Sequence, residues 1–133
     1  MALVQVRDVP EATLNALVGD RANSRLLALL ADEELHAPTL LDFEVASALR
    51  GHTLGGKLDP VQLEEAVEDF TAFRIERHPM TGLLGYMLDL RDNFTVYDAA
   101  YLVLAQALDS PIVSADAKLP EAARLGVDVR VFE

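Results

Sequence analysis

A chain of 133 residues, 51% of them apolar, carries enough material for one compact domain that buries most of the surface its unfolded form exposes. It has no cysteine, which excludes a disulfide framework and thiolate chemistry and leaves only oxygen and imidazole ligands for any metal. Eleven basic residues against 22 acidic ones give a net charge of −11. That balance argues against a nucleic-acid binder working through a broad basic face, without excluding a nuclease built on carboxylates; acidity also serves plain solubility.

No apolar run reaches the roughly 20 residues of a membrane span, and no basic stretch followed by an apolar one opens the sequence. A soluble, cytoplasmic protein without a membrane partner is expected.

In chain order, Ala2 to Val6 reads as a short strand. Asp8-Val9-Pro10-Glu11 reads as a helix entry, with proline tolerated in the first turn and acids favoured by the dipole. That helix runs to about Val18, and Gly19-Asp20 breaks it. Arg25 to Leu30 form a second helical stretch with leucines at helical spacing. Leu35-His36-Ala37-Pro38 reads as a strand, after which Thr39 caps a helix through about Leu54 that Gly55-Gly56 ends.

Asp59 and Pro60 open the next helix, whose apolar positions are Val61, Leu63, Ala66, Val67, Phe70 and Phe73. Its acids Glu64, Glu65, Glu68 and Asp69 read as a solvated face. Ile75 to His78 reads as a strand and Thr81 to Leu90 as a helix. Thr95 starts the helix that contains Asp98, Pro111 to Ser114 is a buried strand, Leu119 to Leu125 a short helix, and Val127 to Phe132 a closing strand. Short strands alternating with helices predict a parallel sheet covered by helices, an α/β fold with no internal repeat or linker.

Asp98 is the only charge in Val96-Tyr97-Asp98-Ala99-Ala100-Tyr101-Leu102-Val103-Leu104-Ala105, a helix apolar on nearly every side. A carboxylate carried into such surroundings needs a cation, a metal or hydrogen-bond donors. Thr95 and Asp98 also fit a capping box, so the pair has a structural explanation of its own. Glu44 lies early in a helix that follows a strand, with small Ser47 and Ala48 three and four residues on. Asp116 follows directly after the strand Ile112-Val113, where a helix cap is the plainer reading.

In parallel sheets the ligand crevice lies at the carboxyl ends of the strands. Three acids gathered there repel one another unless a divalent cation neutralises them, and hard oxygen ligands select Mg²⁺ or Mn²⁺. His36, His52 and His78 sit on separate elements without ligand spacing, so surface or satisfied, partly buried roles are expected of them. Tyr97 and Tyr101, four apart on one helix, read as packing residues.

The segments His36-Ala37-Pro38-Thr39-Leu40-Leu41-Asp42-Phe43-Glu44-Val45-Ala46-Ser47-Ala48-Leu49-Arg50, Thr95 to Ala105, and Ile112-Val113-Ser114-Ala115-Asp116-Ala117-Lys118-Leu119 resemble the VapC-type PIN-domain toxins, in that order and at similar intervals. The resemblance covers residues 19–133. It implies a PIN-like three-layer α/β fold with a short parallel sheet flanked by helices, and a metal-dependent endoribonuclease that is the toxin half of a toxin–antitoxin pair. By that carry-over Glu44, Asp98 and Asp116 belong to an acidic site for Mg²⁺ or Mn²⁺, which activates water for attack on an RNA phosphodiester. Thr95 and Ser114 orient the carboxylates, and Arg50, Arg91 and Lys118 are candidates for phosphate contact. The implied partners are RNA, a VapB-type antitoxin and a second copy of the chain.

Such toxins open with an apolar strand ending in an Asp that is followed by small residues. Asp8 ends the first strand here, but Pro10 and Glu11 stand where small residues are the rule, so the first strand is atypical. Residues 1–18 look more like the start of a ribbon-helix-helix antitoxin, with a junction near Val18-Gly19 inside a single domain spanning 1–133. Asp8 is then either the fourth carboxylate or a helix cap. With the first reading the chain is a ribonuclease; with the second it is a PIN-like protein that binds an antitoxin or sibling toxin without cleaving RNA.

Overall fold

The computed structural model describes residues 2–5, 34–114 and 125–131. Strand β1 (Ala2–Gln5) precedes β2 (Leu35–Pro38), followed by helices α1 (Leu40–Leu54) and α2 (Pro60–Ala72) and strand β3 (Ile75–His78). A 3₁₀ turn (Thr81–Leu83) leads into α3 (Leu84–Asp89), then α4 (Val96–Leu108), β4 (Ile112–Ser114) and β5 (Val129–Val131). The expected helices over Asp8 to Val18, Arg25 to Leu30 and Leu119 to Leu125 fall outside the described residues, apart from Leu125 itself.

The five strands are parallel in the order β3-β2-β1-β4-β5. All four β2 residues are buried, as a strand covered on both faces requires. Because the strands are parallel, their carboxyl ends lie along one edge of the sheet, and the chain enters α1 directly from β2 there.

The antitoxin-like reading of residues 1–18 finds no support here. β1 pairs with β2 on one side and β4 on the other, so both of its backbone edges are used inside this chain's own sheet. An intermolecular ribbon needs a free edge.

The core is built around α4. Seven consecutive residues, Ala99 to Ala105, are buried, and the helix packs across β2, β1 and β4. Tyr101, Leu102, Leu104 and Ala105 meet Ile112 and Val127, with Leu40, Met80, Leu83 and Leu90 closing the sides. The helix ends at Asp109, whose left-handed backbone (φ 49°) lets its N–H reach the carbonyls of Ala105 and Gln106. Aspartate is one of the few residues outside glycine that visits this region.

Helix starts follow local chemistry where the backbone is free to obey it. At α2 the Asp59 carboxylate accepts from Gln62 N–H at 2.8 Å and the Gln62 side chain accepts from Asp59 N–H at 3.0 Å, a full capping box with Pro60 in the first turn. At α4 Thr95 Oγ accepts from Asp98 N–H at 3.2 Å.

At α1 the expected cap fails: Thr39 holds the capping position in a helical conformation (φ −55°, ψ −22°) and makes no side-chain cap bond. Its own N–H donates to the His78 carbonyl on β3 at 3.1 Å, and that cross-strand bond sets its backbone. The helix expected over Thr81 to Leu90 begins instead as the 3₁₀ turn, with Leu83 N–H bonded to Met80 carbonyl at 2.9 Å. The closing strand starts at Val129, later than expected, with Val127 packed into the core, and the expected strand residue Phe132 lies outside the described residues.

No helix among the described residues is long and apolar enough to cross a membrane. The Asp59→Ala substitution is expected to lower stability by about 1 kcal/mol. Urea unfolding should show this as a lower midpoint with an unchanged slope.

Candidate active site

Glu44 sits in the second turn of α1 and is buried to 9% exposure. Removing a carboxylate from water is costly, and here a donor meets it: the Tyr101 hydroxyl donates to Glu44 Oε1 at 2.5 Å. Tyr101 is itself fully buried, so the pair joins α1 to α4 in the interior.

Asp98 lies three residues before Tyr101, one turn back on the same side of α4. It is half-buried, in the first turn of the helix, where the helix dipole favours a negative charge. Thr95 Oγ holds the Asp98 backbone N–H, which defines where the helix begins and so where the carboxylate projects from.

A cleft of about 600 Å³ opens beside Glu44. Ser47, Ala48 and Gly51 give it room along α1, so the small neighbours of Glu44 do leave space next to the carboxylate. Lys57 reaches the cleft because the chain folds back after α1: Gly56 takes a positive φ of 77°, and Lys57 N–H bonds to the His52 carbonyl at 2.9 Å. His52 lines the same cleft. Phe43 and Tyr97 stand at it with 74% and 53% exposure, an arrangement of open aromatic faces. The two tyrosines of α4 therefore part company, Tyr101 packing as expected and Tyr97 facing the opening.

Of the residues singled out in the sequence, Glu44 lines the cleft and is bonded to Tyr101, while Asp98 stands three residues before Tyr101 on α4. Asp8, Asp116 and Lys118 lie outside the described residues, as does the Ser114 side chain. β1 and β4 are neighbours whose last residues, Gln5 and Ser114, are register partners. Arg50 is exposed on the groove between α1 and α2, away from the cleft, and Arg91 donates to the Leu88 carbonyl at 3.0 Å in the turn after α3. Sequence reasoning missed Lys57, Phe43 and Tyr101 as members of this region. The Gly55-Gly56 pair was the available signal for Lys57, because a helix stop of that kind turns the chain back on itself.

The histidines were expected to lack a shared site, and two of them meet. His36 on β2 and His78 on β3 have Nδ1 and Nε2 2.7 Å apart, with Glu76 alongside. Strand register brings together what residue spacing along the chain does not.

For a divalent cation the carboxylate lining the cleft among the described residues is that of Glu44, held by the Tyr101 phenol; Asp98 stands on the adjoining helix and does not line the cleft. Mg²⁺ takes one or two carboxylates and completes its shell with water, for which the cleft has space. Glu44 is a donor of the kind such an ion takes.

The family model described as PIN domain matches residues 12–125. Ribonuclease VapC1 of Mycobacterium tuberculosis is 35% identical over 122 residues, covering 90% of this chain and 92% of that protein. VapC ribonuclease Mb0985 of Mycobacterium bovis is 34% identical over 110 residues, covering 83% of this chain and 84% of its own length. The crystal structure of PAE2754 from Pyrobaculum aerophilum superposes with a TM-score of 0.68 over 96% of this chain and 89% of that one, at 20% identity, a likeness of fold.

Tyr101→Phe deletes the donor and keeps the packing volume. The variant is expected to lose about 2 kcal/mol of stability, the scale of a hydrogen bond to a charged group. In a double-mutant cycle with Glu44→Gln, the two losses should add to clearly more than the loss in the double variant.

Proposed function

The chain belongs to the PIN-domain family, and we propose that it is a VapC-type endoribonuclease, the toxin half of a toxin–antitoxin pair. The observation that carries this reading is the buried Glu44 carboxylate, bonded to Tyr101 at the edge of an open cleft, with Asp98 one turn before that tyrosine on α4. A buried acid beside open space is an arrangement that stability alone disfavours.

Glu44 and Asp98, together with Asp8 and Asp116, are the residues that would hold Mg²⁺ or Mn²⁺. Such an ion, when bound, would supply the charge for activating water toward a phosphodiester and for stabilising the departing oxygen. Tyr101 keeps the Glu44 carboxylate pointed in one direction, and Thr95 fixes the start of the helix that carries Asp98. Ser114 is assigned the same orienting role at the end of β4.

The place of β1 supports including Asp8. A central strand beside β4 starts the segment bearing Asp8 next to the segment bearing Asp116. The same sheet takes β1 and β5 from the two ends of the sequence, which supports reading 1–133 as one domain.

Among the described residues lining the cleft Lys57 is the lysine, and it is the first choice for a phosphate contact. Arg50, Arg91 and Lys118 form an outer set. Phe43 and Tyr97 offer faces on which bases of single-stranded RNA stack, a contact that tolerates any sequence. A VapB-type antitoxin, a homodimer and a cytoplasmic site of action complete the proposal.

With Mg²⁺, the purified protein is expected to cleave single-stranded RNA, and Asp98→Asn to abolish cleavage. Equal rates for the two would overturn the assignment, and inactivity of both would favour a PIN-like protein that only binds its partner. A Mn²⁺ binding isotherm tests the carboxylates without needing the right RNA; Glu44→Gln should weaken it. Lys57→Ala is expected to weaken RNA binding across sequences and to reduce the salt dependence of binding by about one ion, read from affinities at several salt concentrations.

A further inference from the structure

The pairing of β2 with β3 brings His36 opposite Glu76 and Pro38 opposite His78. Alternate residues of a strand share a face, so His36, Glu76 and His78 lie on one side of the sheet. Arg77 lies on the other, where its guanidinium bonds to Asp42 of α1 at 2.8 Å and covers the Phe70 ring of α2. One donor atom from each of His36, Glu76 and His78 lies within 4.8 Å of the others. None of the three lines the Glu44 cleft.

We propose that His36, Glu76 and His78 form a second metal site, for a divalent cation of the Zn²⁺ class, separate from the carboxylates of the cleft. Two imidazoles and one carboxylate suit Zn²⁺, Co²⁺ or Ni²⁺, whereas Mg²⁺ prefers oxygen throughout.

The geometry supplies both shells. His36 Nδ1 faces the other donors, 2.7 Å from His78 Nε2 and 3.6 Å from Glu76 Oε2. Its second nitrogen, Nε2, is 3.1 Å from Glu34 Oε1. A carboxylate on the far nitrogen is the usual outer partner of a metal-bound imidazole: it holds the proton on Nε2 and turns the Nδ1 lone pair toward the ion. His78 presents its Nε2 lone pair when its proton sits on Nδ1, so filling the site needs a tautomer shift at His78 and a small separation of the two rings.

Two nitrogens bound tetrahedrally at about 2.0–2.1 Å stand about 3.3 Å apart. The present 2.7 Å is a hydrogen bond between the rings, and they must part by roughly 0.6 Å to admit the ion. His36 is 4% exposed and fixed, while His78 is only half-buried on the edge strand and can give way. Glu76 is open to solvent, which provides the entry path, and leaves a fourth position for water. An ion held this way ties the edge strand β3 to β2.

The test is a Zn²⁺ titration of the full-length protein by calorimetry in excess Mg²⁺, repeated with Co²⁺ by visible absorption. One equivalent should bind and should raise the melting temperature. Glu76→Gln is an exposed change that leaves the core intact and should weaken binding; His78→Ala should remove it, with circular dichroism checking the fold. Glu34→Gln should weaken it about tenfold to a hundredfold. Asp98→Asn should bind as the parent does. Absence of Zn²⁺ binding in excess Mg²⁺, or binding that survives Glu76→Gln and His78→Ala but is lost in Asp98→Asn, would overturn the proposal.

Discussion

A buried hydrogen bond, from the Tyr101 hydroxyl to the Glu44 carboxylate, ties together the two helices that border the cleft. Tyr101 lies in the middle of the fully enclosed stretch of α4 and cannot tilt without opening the core. Glu44 cannot swing away without leaving a buried charge without this donor. The carboxylate is thus held by the same packing that holds the fold together, and Asp98, one turn along α4, inherits that rigidity. In a low-dielectric setting such a bond is strong, and so is the penalty for losing it.

The sheet does the complementary work. Five parallel strands point their carboxyl ends to one side, and β1 in the centre makes that side a meeting place for segments distant in sequence. A carboxylate in the first turns of a helix that follows a strand, as Glu44 is in α1, is delivered to this region by topology. The acidic surplus of the chain is then spent in two ways. The acids of α2 are solvated along its outer face, while Glu44 is drawn inside, where its charge can act on something other than water.

Features governed by three or four neighbouring residues were legible in the sequence. The Asp59-Pro60 opening of α2, the Thr95 cap at α4, and the Gly55-Gly56 stop after α1 all depend on contacts within one turn. The apolar run from Ala99 to Ala105 announced its own burial in the same way. Where the decision is made by a distant partner, the sequence is silent. Thr39 has the right chemistry for a cap, yet its backbone is set by a carbonyl on a strand 39 residues further on. The strand Ala2–Gln5 looks alike whether it pairs within this chain or with another, and only the filling of both its edges by β2 and β4 distinguishes the two. His36 and His78 are 42 residues apart, and their contact exists only through strand register.

The polar face of β3 raises a question that edge protection answers only in part. Charged residues on an edge strand discourage pairing with other molecules, and Glu76 and Arg77 serve that purpose on β3. His36 does not fit that explanation, because it belongs to β2, an inner strand, and is almost wholly enclosed. An apolar residue there would pack without needing partners, whereas the imidazole requires two, and it has them in Glu34 and His78. A network of this kind could be replaced by apolar side chains at little cost in stability, so its presence calls for a role that apolar side chains cannot fill. Holding a cation between two strands is such a role, and it needs the lone pair that His36 turns toward His78 and Glu76.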